Sequence, residues 1–217
     1  LMVVTSKTSA NYPVIYARYL NAATETVHNS SSSPFWQSDY IQAPEDFQPV
    51  IAVSGGDKFL TVFRKIENEY SGLYFFSGTI SGNSIMFADS AAGLPWYIQG
   101  TNQYSVNPTI SVSKTAANEP VYWIAWQQNS STGSSSDIYY KQITVHTNGT
   151  FSQSGAMMSG GSGYPHNRYP TITSIGNSAR VAWQGYVGYI EDGMPKENAE
   201  EMEESRVIFK STDYWQY

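Results

Sequence analysis

The 217-residue chain contains no cysteine. Disulfides, zinc ribbons and thiol catalysis are therefore excluded together, although the compartment is not fixed by that absence. Charge is scarce as well: Asp, Glu, Lys and Arg make up 14% of the residues, against roughly 25% in an ordinary soluble domain. No apolar run approaches the roughly 18 residues of a membrane-crossing helix. Residues 1–7 lack the cationic start and small-residue cleavage site of a signal peptide. Membrane insertion is not expected, and a chain that opens on Leu1 reads as a piece of something longer.

The charge that does occur is concentrated. Glu191, Asp192, Glu197, Glu200, Glu201, Glu203 and Glu204 face a single base, Lys196, so this stretch alone accounts for the net charge of −6. The balanced remainder has no basic stripe with which to gather nucleic acid, so nucleic-acid binding is excluded. Aromatics, in contrast, reach 15%, and glycine and proline number 17 and 10.

What organises the sequence is a repeat. The phrases around Pro49, Pro108 and Pro170 are versions of one another, with the prolines 59 and 62 residues apart. Each is followed by a short Gly-, Asn- or Lys-containing turn and an apolar segment: residues 59–63, 121–126 and 179–183. A third segment follows, in which Ile138–Tyr139–Tyr140–Lys141 matches Val207–Ile208–Phe209–Lys210; residues 15–18 and 73–76 fit the same frame. A weaker fourth segment lies near residues 84–87 and 150–155. Short, evenly spaced strands with no helical periodicity between them predict an all-β chain.

A repeat of about 60 residues with four antiparallel strands predicts blades of a β-propeller; a β-sandwich with similar hairpins would not need that period. The divisions are a partial blade at 1–47, blades at 48–106 and 107–168, and a partial blade at 169–217 with an acidic insertion at 186–205. Fourteen strands leave the first and last blades incomplete, so further blades of the same parent chain are expected.

Tyr169–Pro170–Thr171–Ile172, Val181–Ala182–Trp183–Gln184 and Ile138–Tyr139–Tyr140–Lys141 resemble the repeats of sialidase-like propellers of the BNR or Asp-box type. Thr147–Asn148–Gly149–Thr150–Phe151 is a degenerate form of that family's box, and Ser211–Thr212–Asp213–Tyr214–Trp215 keeps its Ser and Asp without the Gly. The resemblance implies a propeller in which an Asp-type residue pins a hairpin and an aromatic enters the core. For activity it would imply an arginine cluster, a Tyr/Glu nucleophile and an Asp acid/base. Arg18, Arg64, Arg168, Arg180 and Arg206 are present, but only Phe63–Arg64–Lys65–Ile66 approaches the family's arginine phrase, and it lacks the proline. No catalytic residue carries over.

His28, His146 and His166 stand apart, and a metal site is not expected. No cofactor is expected either; calcium is admitted only by the acidic run, whose irregular glutamates lack the spacing of a dedicated loop. In a propeller, the second-to-third-strand loops and the blade-to-blade links share one face, and those are the long, aromatic connections here. Ring stacking beside amides and hydroxyls suits carbohydrate. The candidate ligand-binding residues are Trp36, Tyr40, Trp96, Tyr97, Tyr104, Tyr164 and Tyr186.

The expected function is a non-catalytic recognition module of a secreted or cell-surface protein that binds a glycan or a protein partner. The alternative is a sialidase-like glycoside hydrolase whose remaining catalytic groups lie outside this stretch. Sequons at Asn29, Asn129 and Asn148 point outward from the cell.

Overall fold

The computed structural model describes residues 2–7, 13–21, 26–29, 36–37, 48–55, 57–66, 71–81, 84–87, 95–158, 165–176, 178–186, 190–191, 194–195 and 205–211. Side chains are described only between residues 48 and 185, and there not for Ser84, Ile85 or Phe87. Every regular element among these residues is a β-strand. The acidic insertion at 186–205 lies outside them apart from its first and last residues and a two-residue hairpin at Ile190–Glu191 and Met194–Pro195.

The strands recur in sets. The first set is β1 (Met2–Lys7), β2 (Pro13–Asn21), β3 (Thr26–Asn29) and β4 (Trp36–Gln37). The second is β5 (Val50–Val53), β6 (Lys58–Lys65), β7 (Gly72–Ser81), β8 (Ser84–Phe87) and β9 (Trp96–Tyr97). The third is β10 (Ser105–Lys114), β11 (Pro120–Asn129), β12 (Ser136–Val145), β13 (Phe151–Gln153) and β14 (Met157–Met158). The fourth holds β15 (His166–Ile175), β16 (Ser178–Tyr186) and, after the hairpin strands β17 and β18, β19 (Ser205–Ser211). Within each set the pairing is antiparallel, with β4 returning to β2, β9 to β7, and both β13 and β14 to β12. A single parallel bridge, Ser136 to His166, joins the third and fourth sets into a mixed sheet.

Register makes the sets superimposable. Val50 opposes Val62, Thr109 opposes Ala125 and Thr171 opposes Ala182, each one residue after the repeated proline. Phe63, Trp126 and Trp183 therefore occupy one position, and Phe75, Tyr140 and Phe209 another. Both faces of the second and third sets are covered, so β11 is buried at its first eight residues instead of alternating, whereas β15 in the fourth set alternates buried and exposed from Tyr169 on. One apolar cluster, with Leu60, Phe75, Tyr122, Ile124 and Trp126, fills the space between the second and third sets. Another, with Trp123, Ala125, Ile138, Val181 and Trp183, fills that between the third and fourth. Strand β10 lies against both β5 and β15.

The fourth strand differs from its expected form. It is broken into two pieces, β8 with β9 and β13 with β14, each pairing with its set's third strand. Trp96 and Tyr97 thus sit on an outer strand instead of in a blade-to-blade link. The turn before β13 is pinned by its own side chains. Asn148 Oδ1 accepts from Thr150 N at 3.0 Å and from Thr150 Oγ1 at 2.7 Å, Gly149 takes φ +83°, and Phe151 meets Phe75 and Trp96 edge-on at 5.0 Å.

Candidate functional site

The ends of the sheets are unlike. At one end the turns are tight: Ser54 N donates to Lys58 O at 2.8 Å, Thr115 N to Glu119 O at 2.9 Å, and Gly176 turns the chain with φ +58°. At the other end Ser105 opposes Gln128, Asn129 opposes Ser136, and His166 opposes Tyr186. There the segment before β10, the 130–135 loop and the start of β15 are stitched together, with Asn129 N bonded to Tyr104 O and Ser136 N to Pro165 O, both at 3.0 Å.

At this second end each repeated proline follows a residue in the left-handed region: Gln48 at φ 43°, Asn107 at φ 51° and Tyr169 at φ 49°. Side chains with a Cβ rarely adopt that conformation, and a following proline restricts the preceding residue further. In β10 and β15 the corner coincides with a β-bulge, between Val106 and Thr109 and between Arg168 and Thr171. A bulge re-aims a side chain that the regular pleat would place elsewhere.

Two of the corner residues bond to each other. Gln48 Nε2 donates to Asn107 Oδ1 at 3.2 Å, and Asn107 N donates to Gln48 Oε1 at 2.7 Å. Asn107 Nδ2 donates onward to Gln127 Oε1 at 3.0 Å, and Gln127 Nε2 to Asn129 Oδ1 at 2.7 Å. Beside this chain Ser105 Oγ donates to Gln128 Oε1 and Gln128 Nε2 to Asn102 Oδ1, both at 2.6 Å. The result is an uncharged lattice of amides and hydroxyls on β10, β11 and the segments before β5 and β10. Such groups fix orientation and keep further donors and acceptors for a ligand rich in hydroxyls.

Of the residues singled out in the sequence, Tyr104 lies at this end, half-buried, in the segment before β10. Trp96 is held between Phe75 at 5.4 Å and Phe151 at 5.0 Å. Tyr97 is 39% exposed, but its ring meets the edge of Tyr74 at 5.4 Å and its hydroxyl donates to Thr101 O. The side chains of Trp36 and Tyr186, and all of Tyr40 and Tyr164, lie outside the described residues. Of the seven, side chains are described for Trp96, Tyr97 and Tyr104 alone. Sequence reasoning left Gln48, Asn107, Gln127 and Tyr169 out of the candidates; for all but Gln127 the signal was the place just before a repeated proline.

Charged groups are engaged or remote. Arg64 Nη2 donates to Gln103 O at 3.0 Å, Arg168 is buried, and Arg180, near the tight-turn end, donates to Ala179 O at 3.3 Å. Lys141 is buried, and desolvation lowers its pKa; its Nζ donates to Gln99 O at 2.7 Å and Gln153 Oε1 at 3.1 Å, tying the third set to the second. Asp137, opposite Gln128, is the one described carboxylate at the amide-lined end. Glu119, at the other end, pairs with His146 at 3.2 Å. Among the described residues no three His, Asp or Glu come together as metal ligands.

No protein-family model matches the sequence, and no curated protein does. Solved structures similar to the chain include an endo-1,4-β-xylanase from Bacteroides thetaiotaomicron, at 10% identity and a TM-score of 0.40 over 96% of this chain and 69% of that one. An exo-1,5-α-L-arabinanase from a bovine ruminal metagenomic library follows at 8% identity and 0.27, covering 96% and 91%. A GH43 endo-arabinanase from Bacillus licheniformis stands at 9% and 0.28, covering 96% and 92%. Likeness at this level assigns neither a substrate nor a residue role. All three are glycoside hydrolases and none is a sialidase, and on that finding the expectation of a non-catalytic recognition module is withdrawn.

Proposed function

We propose that the chain belongs to a carbohydrate-cleaving β-propeller, a glycoside hydrolase other than a sialidase. The propeller part of this reading is supported by the superimposable registers and by contact between equivalent positions of neighbouring inner strands, Gln48 with Asn107. The observation that carries the functional part is the uncharged amide lattice at the inner ends of β10 and β11. Amides held by one another cannot rotate freely. They present fixed donors and acceptors to sugar hydroxyls without the reorganisation a solvated side chain would need.

Glycoside hydrolysis takes two carboxyl groups, about 5–5.5 Å apart for retention and about 6.5–9.5 Å apart for inversion. Asp137 stands at the amide-lined end and is the candidate for one of them; the other comes from outside the described residues. A sialoside would in addition need an arginine clamp, and among the described side chains the engaged Arg64, buried Arg168 and remote Arg180 do not supply one.

The test is incubation of the full chain with xylan, linear arabinan, polygalacturonate and a sialyl-oligosaccharide, with released reducing ends and sialic acid both measured. Release of reducing ends from a neutral glycan is the expected result. Release of sialic acid would restore the sialidase alternative, and neither release nor binding with any substrate would overturn the carbohydrate reading.

A further inference from the structure

The three residues that precede the repeated prolines occupy one structural position, yet they differ in chemistry: Gln48, Asn107 and Tyr169. Left-handed backbone is tolerated by Asn and Asp in turns, as at Asn118 and Asp57, because a short polar side chain can bond locally. A tyrosine before a proline has no such local compensation, so φ 49° at Tyr169 is strain maintained by the bulge around it. The strained corner does not serve packing. Tyr169 is 58% exposed, more than any other described aromatic, and lies outside both apolar clusters.

Its neighbours follow from the repeat. Strand β10 lies between β5 and β15, and Gln48 and Asn107 touch across the first of these contacts. Across the second, Ser111 Oγ and Ser174 Oγ are 2.8 Å apart, so β15 continues the same row of inner strands. The row therefore reads Gln48, Asn107, Tyr169. Each amide uses one of its two N–H donors within the lattice and keeps the other. Among the described residues, the bonds of Gln48 and Asn107 go to amides and to no ionised side chain.

We propose that Tyr169, Asn107 and Gln48 form a subsite for one neutral sugar ring, with the Tyr169 ring stacking on the apolar C–H face and the two amides reading adjacent hydroxyls. The inference rests on the carbohydrate reading above and narrows it to an uncharged sugar at a defined place. The phenol oxygen is not required, whereas the ring is.

The strain supplies the discriminating experiment. Tyr169→Gly removes the ring and relieves the left-handed backbone, so its melting temperature should equal or exceed that of the parent chain. Its affinity for xylan or linear arabinan, read by affinity electrophoresis, should fall about tenfold or more, as when an aromatic anchor is lost. Tyr169→Phe should bind like the parent, and Asn107→Gly, which keeps the backbone conformation, should bind more weakly. Parent-like binding by Tyr169→Gly, or a preference of the parent chain for polygalacturonate over both neutral glycans, would overturn the subsite while leaving the broader reading in place. A parent chain that binds no glycan would overturn both.

Discussion

Trp126 and Trp183 hold the same position in consecutive repeats, both buried, one between the second and third strand sets and the other between the third and fourth. Their indole N–H groups fare differently. Trp183 Nε1 donates to Asn167 Oδ1 at 2.9 Å, and Asn167 Nδ2 in turn donates to Ser136 O at 3.2 Å, bridging two repeats. Trp126 Nε1 is buried with no hydrogen-bond partner among the described residues. The residue matching Asn167 is Ser105, whose hydroxyl is committed to Gln128 in the amide lattice. One position thus completes the core in the fourth repeat and serves the candidate site in the third. Apolar shape is what the repeats share, and polar wiring is where they diverge.

The most severe way to break the comparison is to remove the rings. Trp126→Ala and Trp183→Ala should each cost about 3–5 kcal/mol, the range for a buried aromatic truncated to leave a cavity, read by urea unfolding. Equal losses are expected, since both residues wedge adjacent sheets apart. A small loss at either position would mean that the two are not equivalent in packing.

A milder test copies the third repeat into the fourth. Asn167→Ser withdraws the acceptor from the Trp183 indole and the donor from Ser136 O in a buried setting. Stranding those groups should cost about 1–3 kcal/mol. If Trp183→Phe is made first, Asn167→Ser should cost less than in the parent chain, because the indole donor is already gone.

A third contrast lies at Lys141, whose counterpart in the second repeat is Phe76. Burial lowers the Lys141 pKa, so between that lowered value and the ordinary lysine value of about 10.4 the unfolded chain binds more protons than the folded one. Stability from this group therefore rises with pH through that window. Burial raises the hydroxyls of Tyr122 and Tyr140 and acts oppositely above about pH 10, where the unfolded tyrosines ionise first. Lys141→Met should flatten the rise below pH 10 in a urea series. A variant that keeps the parent slope would assign it to another group.

Much of the fold is legible in the chain because its repeats are carried by apolar pattern. The third strands could be matched across Ile138 to Lys141 and Val207 to Lys210 since each is long enough to show its character, and their registers agree. The broken fourth strand was not legible: β9 and β14 have two residues each, too few for any period, so Trp96 and Tyr97 read as a link. The candidate site was hidden for a different reason. Its bonds join residues such as Gln48 and Asn107, 59 positions apart, and amides in an Asn- and Gln-rich chain do not announce their partners. Only the residue before each proline was a marker, and it had to be read against an expectation of extended backbone there.

The smallest expected effect comes from the reverse graft, Ser105→Asn. The new amide would lie where Asn167 lies relative to Trp183 and would offer Trp126 Nε1 its missing acceptor. One buried N–H satisfied is worth about 1 kcal/mol. Against it stands the loss of the 2.6 Å bond from Ser105 to Gln128 and of the bond from Asn102 N to Ser105 Oγ at 2.9 Å. Those two bonds lie nearer to solvent, where water replaces a lost partner at little cost, so the net change should be a gain under about 1 kcal/mol. The same substitution frees Gln128 from its fixed orientation, so glycan binding should weaken as stability rises. Opposite signs in the two measurements would establish that this position was diverted from the core to the site. A loss in both would mean that Ser105 is needed for the fold itself.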